Sequence, residues 1–587
     1  MVEATLIAEL QVAARSPAGI RFLDKSEQER RLSYAEILER AQRCAGALHR
    51  LGIVPGDRIA LVLPTSPDFF DAFFGALLVG AIPVPLYPPV RMGRMDEYHH
   101  RTAAMLSHAG AALVLTDARI RRVLGRSVEK AAPPLGCRLV EELLASGSAV
   151  HLPPPEADDP ALIQFSSGST AAPKPVLLSH RQILANVAAI VGVIDAAFPE
   201  TEGDRAIVHA GASWLPLYHD MGLVGCVFPA INGPRELTLI PPELFLSRPA
   251  VWLRAISRSK ATVSPAPNFA YGLCADRIKD AELEGVDLSS WRMALNGAEP
   301  VSPETLEKFI ARFEPYGFRP EALTPVYGLS EAALAVTFSP PRRRFKAVSF
   351  DPDRLAEDGV AQPAEGGRAL VSVGTPLPGF ELRVLDAEGR ALPAGHAGHI
   401  HVRGPSIMSG YYRQEEATRA ALRDGWLDTG DVGFLYGDEL YLHGRAKDLL
   451  IVRGRKYSPQ EVEQLLDDLP GVRAGCAAAL SYAPGGADTE RVLLLVERAK
   501  SSSTSDAGLE AAVRGRIAEG SGLAIDEVQI LEPGTLPRTS SGKIRRRDAL
   551  ARFLSQSLAP PDPVTALRLA TEMVRSKAAF LRSSRAR

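Results

Sequence analysis

The residues whose types and spacing are most suggestive of chemistry lie in a short loop between two apolar runs. Ile163-Gln164-Phe165 is typical of the end of a buried strand, and Val176-Leu177-Leu178 forms a second run. Between them lie small, mostly hydroxyl-bearing residues and one cation, namely Ser166, Ser167, Gly168, Ser169, Thr170 and Lys174. Backbone N–H groups and hydroxyls in such a loop can surround one anion, so the pattern predicts a phosphate site. A polar hairpin turn is the alternative.

The loop differs from the common P-loop. That motif needs Gly-x-x-x-x-Gly-Lys-Ser/Thr leading straight into a helix. No Gly-Lys follows Gly168, and Pro537 stands where the first glycine should precede Gly542-Lys543. The sequence therefore argues against a kinase or an ordinary P-loop ATPase.

Three further stretches place polar residues on tight turns after apolar runs: Ser213–Gly222, Leu295–Pro300 and Val326–Glu331. The first combines a Trp, a Tyr, a His and an Asp with a proline and a glycine. Burying such polar groups costs free energy, so their presence here suggests a function. An aromatic corner of the core is its alternative interpretation. For Glu331 the alternative is an acid favoured by a helix N-terminus.

Taken together, these stretches resemble the adenylate-forming superfamily of acyl-CoA synthetases, luciferases and peptide-synthetase adenylation domains. Tyr87-Pro88-Pro89 and Leu217-Tyr-His-Asp-Met-Gly222 are most similar to fatty acyl-AMP ligases. The resemblance covers nearly the whole chain. It implies that a fatty acid and ATP give an acyl-adenylate and pyrophosphate with Mg²⁺. Transfer of the acyl group to the phosphopantetheine thiol of an acyl carrier protein, or of a polyketide or peptide synthase carrier domain, would follow.

The resemblance also implies roles for individual residues. Besides the phosphate loop, the nucleotide contacts would be Gly297, Ala298, Glu299, Tyr327, Gly328, Ser330, Asp431 and Arg445. Tyr327 would lie against the base, and Asp431 would accept hydrogen bonds from both ribose hydroxyls. The substrate pocket would contain Trp214, His219, Asp220, Met221 and Gly222. Glu331 and Thr170 would hold the magnesium, since a hard cation prefers oxygen ligands.

The last motif is Pro537-Arg-Thr-Ser-Ser-Gly-Lys543, in which Lys543 follows a Ser/Gly-rich loop. A mobile loop of this kind can deliver a point cation to an α-phosphate, so Lys543 joins Glu331 and Thr170 as an expected catalytic residue. An ordinary exposed lysine is the alternative. By resemblance, Lys447 is the hinge about which a small C-terminal domain swings.

The chain of 587 residues is too long for one hydrophobic core, so we expect several subdomains. Alternating helices and strands, beginning with the capping box Ser33-Tyr-Ala-Glu36, predict an α/β multidomain fold. We expect a large N-terminal domain over residues 1–443, made of two α/β subdomains and a small β-barrel at about 369–443. A family-type insertion is expected at about 342–368, and a small α+β lid with a basic tail over 444–587.

Composition and charge limit the classes of partner that we expect the protein to bind. The net charge is −2, which gives no global basic surface for nucleic acid. The five cysteines are widely scattered, which is typical of reduced thiols in a cytoplasmic protein. The most apolar segment, Phe69 to Leu86, is interrupted by Asp, Gly and Pro, so we expect no membrane span.

Two departures from the family pattern leave alternatives open. Pro175 stands where a glycine usually follows the loop lysine, and Ala171-Ala172 replace a glycine-containing pair. Proline removes one N–H and pushes Lys174 toward extended geometry. A catalytically weak adenylate-binding relative therefore remains as an alternative to the fatty acyl-AMP ligase. A long-chain fatty acyl-CoA ligase, which has the same first step, is the other alternative. Chain-length preference is not readable from the sequence.

Overall fold

The computed structural model describes residues 5–89, 92–149, 152–166, 173–199, 201–202, 205–452, 455–482, 491–500, 502–539, 542–562 and 564–585. Helices and parallel strands alternate in the first two thirds of the chain, and antiparallel strands and a small α+β unit follow. The expected α/β multidomain fold is confirmed. Ser167, Gly168, Ser169 and Thr170 of the predicted phosphate loop lie outside the described residues.

The largest sheet has nine strands and is parallel through its centre. In sheet order these are Thr375–Pro376, Ala335–Phe338, Leu323–Gly328, Met293–Asn296, Val263–Ala266, Ala210–Ser213, Glu236–Leu239, Gly19–Leu23 and Glu29–Ser33. The helices of this region include Leu6–Ala13, Tyr34–Arg50, Pro67–Leu78, His180–Ala197, Ala250–Ser259, Asn268–Arg277 and Pro303–Phe313. Because neighbouring parallel strands end at one edge, the loops after Asn296 and Gly328 lie side by side.

The helix Tyr34–Arg50 shows how the local sequence sets element boundaries. The Ser33 side chain accepts a hydrogen bond from the Glu36 N–H, and the Glu36 carboxylate accepts one from the Ser33 N–H. The predicted capping box is therefore present. Beyond the helix, Gly52 adopts a φ of +84°, which costs a glycine nothing.

A second sheet has four parallel strands in the order Ile82–Leu86, Arg58–Val62, Leu113–Thr116 and Cys137–Leu139. Its helices are Met95–Ala109, Ala118–Ala131 and Val140–Ser146. A third, three-stranded sheet joins Gly410–Tyr411 to Pro175–Ser179 and Pro160–Phe165, the strands on either side of the phosphate loop. Residues some 240 positions apart are thus brought to the base of that loop.

The region expected to be a small barrel is a five-stranded antiparallel sheet. It consists of Glu381–Leu385, Gly398–Arg403, Trp426–Tyr436, Leu422–Arg423 and Glu439–Arg445. The long strand Trp426–Tyr436 pairs with three of the other strands along its length. Shifts of register near His399 and Val432 bend the sheet. The preceding insertion forms the strand pair Ala347–Phe350 and Arg368–Val371 around the helix Pro352–Glu357.

The C-terminal part is a small α+β unit, called the lid below, that begins after the strand ending at Arg445. Its three-stranded sheet contains Val472–Tyr482, Arg491–Arg498 and Glu527–Leu531, and a short hairpin pairs Leu450–Val452 with Arg455–Tyr457. Its helices are Pro459–Gln464, Asp506–Ser521 and Arg546–Leu554. A last helix, Ala566–Arg585, is called the C-terminal helix. Within the described residues, no helix has the length and apolarity needed to cross a bilayer.

Candidate active site

The site lies at the carboxyl edge of the nine-stranded sheet, where two adjacent strands end in turns that need small residues. A Cβ added at Gly297 would lie 2.8 Å from Val326 Cγ2, and one at Gly328 only 1.9 Å from the Leu334 carbonyl oxygen. Ala298 has a φ of +71°, a strained conformation for a residue with a Cβ. These close approaches fix where Glu299 and Tyr327 lie.

Tyr327 connects the sheet edge to the antiparallel sheet. Its hydroxyl donates to Asp431 Oδ2 at 2.7 Å, and the Arg445 guanidinium binds Asp431 Oδ1 at 3.0 Å. The Asp431 carboxylate raises the pKa of Arg445, and burial raises the pKa of Tyr327. Each Asp431 oxygen retains a further lone pair, so the carboxylate is fixed in place and can still accept from a sugar hydroxyl. The predicted nucleotide residues Tyr327, Asp431 and Arg445 therefore form one contact group.

A second group surrounds Asp220. Asp220 Oδ1 lies 2.6 Å from His219 Nδ1 and accepts the Met221 N–H at 2.7 Å, while Oδ2 accepts from the Ser330 hydroxyl. Burial alone would raise the pKa of this carboxyl, but the nearby His219 and these hydrogen bonds outweigh it and lower the pKa to about 2. Asp220 is thus held ionised. A Cβ at Gly222 would lie 2.2 Å from the Pro216 carbonyl oxygen, so only glycine fits the turn.

Trp214, the other residue predicted to line the substrate pocket, lies in the aromatic core. Its ring stacks on Phe245 at a centroid distance of 4.0 Å and meets Trp252 and Phe269 edge-on. The indole Nε1 is buried without a partner among the described residues. Trp214 therefore packs as part of the aromatic core, and a direct acyl contact stays a prediction.

The phosphate side of the site is built around Tyr411, a residue that motif reading missed. The Tyr411 hydroxyl donates to Glu331 Oε1 at 2.9 Å, and the Lys174 ammonium lies over the Tyr411 ring at 4.4 Å from its centroid. Burial lowers the pKa of Lys174, an effect that Glu331 opposes. Burial raises the pKa of Glu331, and the Tyr411 hydrogen bond opposes that shift. The available signal was the pair Gly410–Tyr411, a glycine before aromatics, which is weak by itself.

Ser166 closes the base of the phosphate loop. The Ser166 N–H donates to the Lys174 carbonyl oxygen at 2.9 Å, and the Lys174 N–H donates to Ser166 Oγ at 3.4 Å. The Pro175 carbonyl oxygen accepts from the Tyr412 N–H at 2.7 Å, so the proline continues into the strand ladder. The two ends of the loop are thus held together although its tip lies outside the described residues.

The lid supplies Lys543. Its loop is closed by the Lys543 N–H donating to Thr539 Oγ1 at 3.0 Å. Burial and the nearby Arg445 guanidinium lower the pKa of Lys543, and the attraction of Glu299, Asp220 and Asp431 opposes this shift. Three carboxylates from separate parts of the large domain therefore act on this one ammonium group.

Glu299 is held in place by a backbone hydrogen bond within the large domain. Its Oε1 accepts the Phe269 N–H at 2.5 Å, and burial raises its pKa against that hydrogen bond and the pull of Lys543. Lys447, the expected hinge, lies exposed in the turn that directly follows Arg445. The positive charge of Lys447 helps to lower the pKa of Lys174 across the site. The position fits a hinge, which stays a prediction.

The residues at Glu331 suit a magnesium ion. Among the described residues no cluster of three or more His, Cys, Asp or Glu side chains is placed to bind a metal. Magnesium at nucleotide sites is usually held by one or two carboxylates together with phosphates, so a full protein cage is not required. Glu331 is partly exposed, and Tyr411 fixes one of its oxygens. Thr170, the second expected ligand, lies outside the described residues.

Comparison with known proteins identifies the family of the chain. The family model "AMP-binding enzyme" matches residues 10–412. A Caulobacter vibrioides protein with a provisional acyl-CoA synthetase name is 34% identical over 560 residues, covering 94% of this chain and 95% of its own.

Two solved structures are also similar. One comes from a study of fatty acyl-adenylate ligases from E. coli and L. pneumophila, with 34% identity, a TM-score of 0.87, and coverage of 94% of this chain and 98% of its own. The L. pneumophila fatty acyl-adenylate ligase in complex with acyl adenylate and pyrophosphate is 31% identical, with a TM-score of 0.68 and coverage of 94% and 96%. The chain belongs to the AMP-binding enzyme family and is an ATP-dependent, adenylate-forming enzyme.

Proposed function

We propose that the protein is a fatty acyl-AMP ligase, which converts a fatty acid and ATP to acyl-adenylate and pyrophosphate. The observation that carries the proposal is the nucleotide-type contact group, in which the Tyr327 hydroxyl donates to Asp431 Oδ2 at 2.7 Å and the Arg445 guanidinium binds Asp431 Oδ1 at 3.0 Å. The attraction of Lys543 from the lid by Asp431, Asp220 and Glu299 supports an adenylating arrangement. The names of the similar proteins support a fatty acid as the acyl donor.

In this reaction the fatty-acid carboxylate attacks the α-phosphorus in line, and pyrophosphate leaves. Lys543 offsets the negative charge that develops on the α-phosphate oxygens. Asp431 fixes the ribose, and Lys174 with the phosphate loop holds the leaving pyrophosphate. Glu331 and Thr170 would hold a magnesium ion, which would supply positive charge to offset the phosphates. Catalysis is therefore positioning and electrostatics, with no covalent protein intermediate.

We infer that the acyl acceptor is the phosphopantetheine thiol of an acyl carrier protein or of a polyketide or peptide synthase carrier domain. The insertion braces the lid: Arg455 Nη1 binds Asp353 Oδ1 at 3.0 Å and also pairs with Glu357, and Arg368 pairs with Glu461 of the lid. Such bracing restricts the turn about Lys447 that thioester formation on free CoA needs. A bound carrier brings its own thiol close through effective concentration.

A panel of fatty acids with ATP and Mg²⁺ tests the first step through pyrophosphate exchange, and absence of exchange with every acid would refute it. Purified acyl-adenylate supplied with either CoA or phosphopantetheinylated carrier tests the second. Efficient acyl-CoA formation by the intact protein would favour the alternative, an acyl-CoA ligase, which the name of the Caulobacter vibrioides relative supports. Acyl-CoA formation gained only after removal of residues 342–368 would support the insertion as the brake.

A further inference from the structure

The C-terminal helix leaves the lid and packs on the large domain, against the helix Ala118–Ala131. Ser576 and Ala579 are fully buried in this contact. The Gly125 N–H donates to Ser576 Oγ at 2.8 Å, and a Cβ at Gly125 would lie 2.1 Å from the Ser576 carbonyl oxygen. The two helix backbones therefore meet at a point where only glycine fits.

Buried polar contacts add specificity to the docking. His99 Nε2 lies 2.8 Å from Glu572 Oε1, and His99 Nδ1 lies 2.9 Å from Ser127 Oγ. Arg126 also binds Glu572, at 3.4 Å. Because buried polar groups are costly without partners, this set of mutual contacts indicates a defined docking position.

The same region of the large domain holds the lid itself, more weakly. Glu97 binds Arg545 at 3.3 Å and Arg552 at 2.8 Å, and Arg94 donates to the carbonyl oxygens of Gly534 and Thr535 at 3.1 and 2.8 Å. The Arg552 and Glu97 side chains are each 24% exposed, and an ion pair of this kind contributes about 1 kcal/mol or less. These contacts release the lid more easily than the buried contacts release the C-terminal helix, while the insertion pairs at Arg455 and Arg368 limit how far the lid then turns.

The connection between them is short. Leu558 still packs in a core of the lid, and Ala566 begins the C-terminal helix, so a link of seven sequence positions separates them. Seven residues span at most about 25 Å. The lid is already joined to the large domain near Lys447, and the short link adds a second connection that limits how far a lid that swings away can turn from its docking position.

We propose that the C-terminal helix is a tether that positions the lid, and with it Lys543, over the adenylation site. The helix stays docked on the large domain while the lid moves, and the link returns the lid to the adenylating orientation. This inference rests on the proposed function, because it assigns to the tether the delivery of the lysine used in adenylation.

Lengthening the link tests the tether while all docking contacts remain. Inserting 20 Gly/Ser residues after Pro560 extends the link from seven to 27 residues. Effective concentration falls roughly as the −3/2 power of length, and because the lid stays joined to the large domain near Lys447, kcat for adenylation should fall by at most about eightfold. KM for ATP should change little, since the nucleotide binds mainly to the large domain. An unchanged kcat would overturn the proposal, because a helix that merely stabilises the fold is insensitive to link length.

Undocking the helix gives a second, matched test. Ala579→Glu places a charge in the buried face, whereas Ala570→Glu makes the same change on the exposed face of the same helix. We expect Ala579→Glu to lower kcat at least as much as the insertion, and Ala570→Glu to leave it unchanged. Equal kcat for both variants would contradict the tether.

The position of the lid can be measured independently of activity, by energy transfer between two dyes. One dye is attached at Glu39→Cys on the large domain and the other at Gln529→Cys on the lid, and both positions are exposed. The five native cysteines are buried, so they leave labelling to the introduced pair. The insertion should broaden the distribution of lid distances, and an unaltered distribution would overturn the tether. Failure of the unmodified protein to exchange pyrophosphate would refute the proposed function instead, while the energy-transfer result would still decide the tether.

Discussion

Tyr411 offers the sharpest test of how the phosphate side of the site is organised. Tyr411→Phe keeps the ring under Lys174 but removes the hydroxyl that donates to Glu331 at 2.9 Å. A hydrogen bond to a charged group contributes about 1.5–3 kcal/mol. With 1.36 kcal/mol per factor of ten, we expect kcat/KM for magnesium-ATP to fall about 10- to 150-fold.

Tyr411→Leu removes the ring as well. The lost cation–π contact with Lys174 is worth about 0.5–2 kcal/mol, so kcat/KM should fall a further 2- to 30-fold or so. Tyr412→Phe is the matched control, because the Tyr412 ring lies instead beside Arg58 and Arg413, at 5.8 and 5.1 Å. It should leave kcat/KM unchanged.

The assay is ATP–pyrophosphate exchange over a range of Mg²⁺ concentrations, with equilibrium nucleotide binding measured alongside. The Phe variant should need more Mg²⁺ for half-maximal activity, because Glu331 loses the donor that favours its ionised form. Activity of Tyr411→Phe equal to that of the Tyr412→Phe control, at every Mg²⁺ concentration, would refute the reasoning.

Four further outcomes are expected. Lys543→Ala should cut acyl-adenylate formation by about 100-fold or more, and unchanged formation would remove its assigned role. Glu331→Gln should raise the Mg²⁺ requirement more than KM for the fatty acid; the opposite pattern would place it in the acyl pocket. Pro175→Gly should leave activity equal or higher and lower KM for ATP, and a sharp loss would show that the loop needs the proline. His180, buried and neutral, accepts the Leu6 N–H at 3.1 Å, and burial lowers its pKa to about 4. Since the unfolded side chain protonates below about pH 6.5, the free energy of unfolding should fall by about 2 kcal/mol between pH 7.5 and pH 5, a loss that His180→Gln removes in urea titrations.

Much of the site was predictable because its signals are local. The capping box at Ser33 and the glycine turns at Gly297 and Gly328 follow from steric and hydrogen-bonding rules that act over a few residues. The family resemblance that those motifs carry then predicted a catalytic role for Lys543 and a ribose contact for Asp431. Their roles remain predictions, but the structure brings them to one place.

Sequence alone determined the class of the fold, the family and the small residues that each turn requires, because these depend on short-range chemistry. Tertiary structure decided which distant groups meet. Tyr411 contacts Glu331, which lies 80 positions away in the sequence. Ser576 of the C-terminal helix contacts Gly125, which lies 451 positions away. Such contacts depend on how separate sheets and the lid pack together, and no local periodicity, cap or turn encodes that packing.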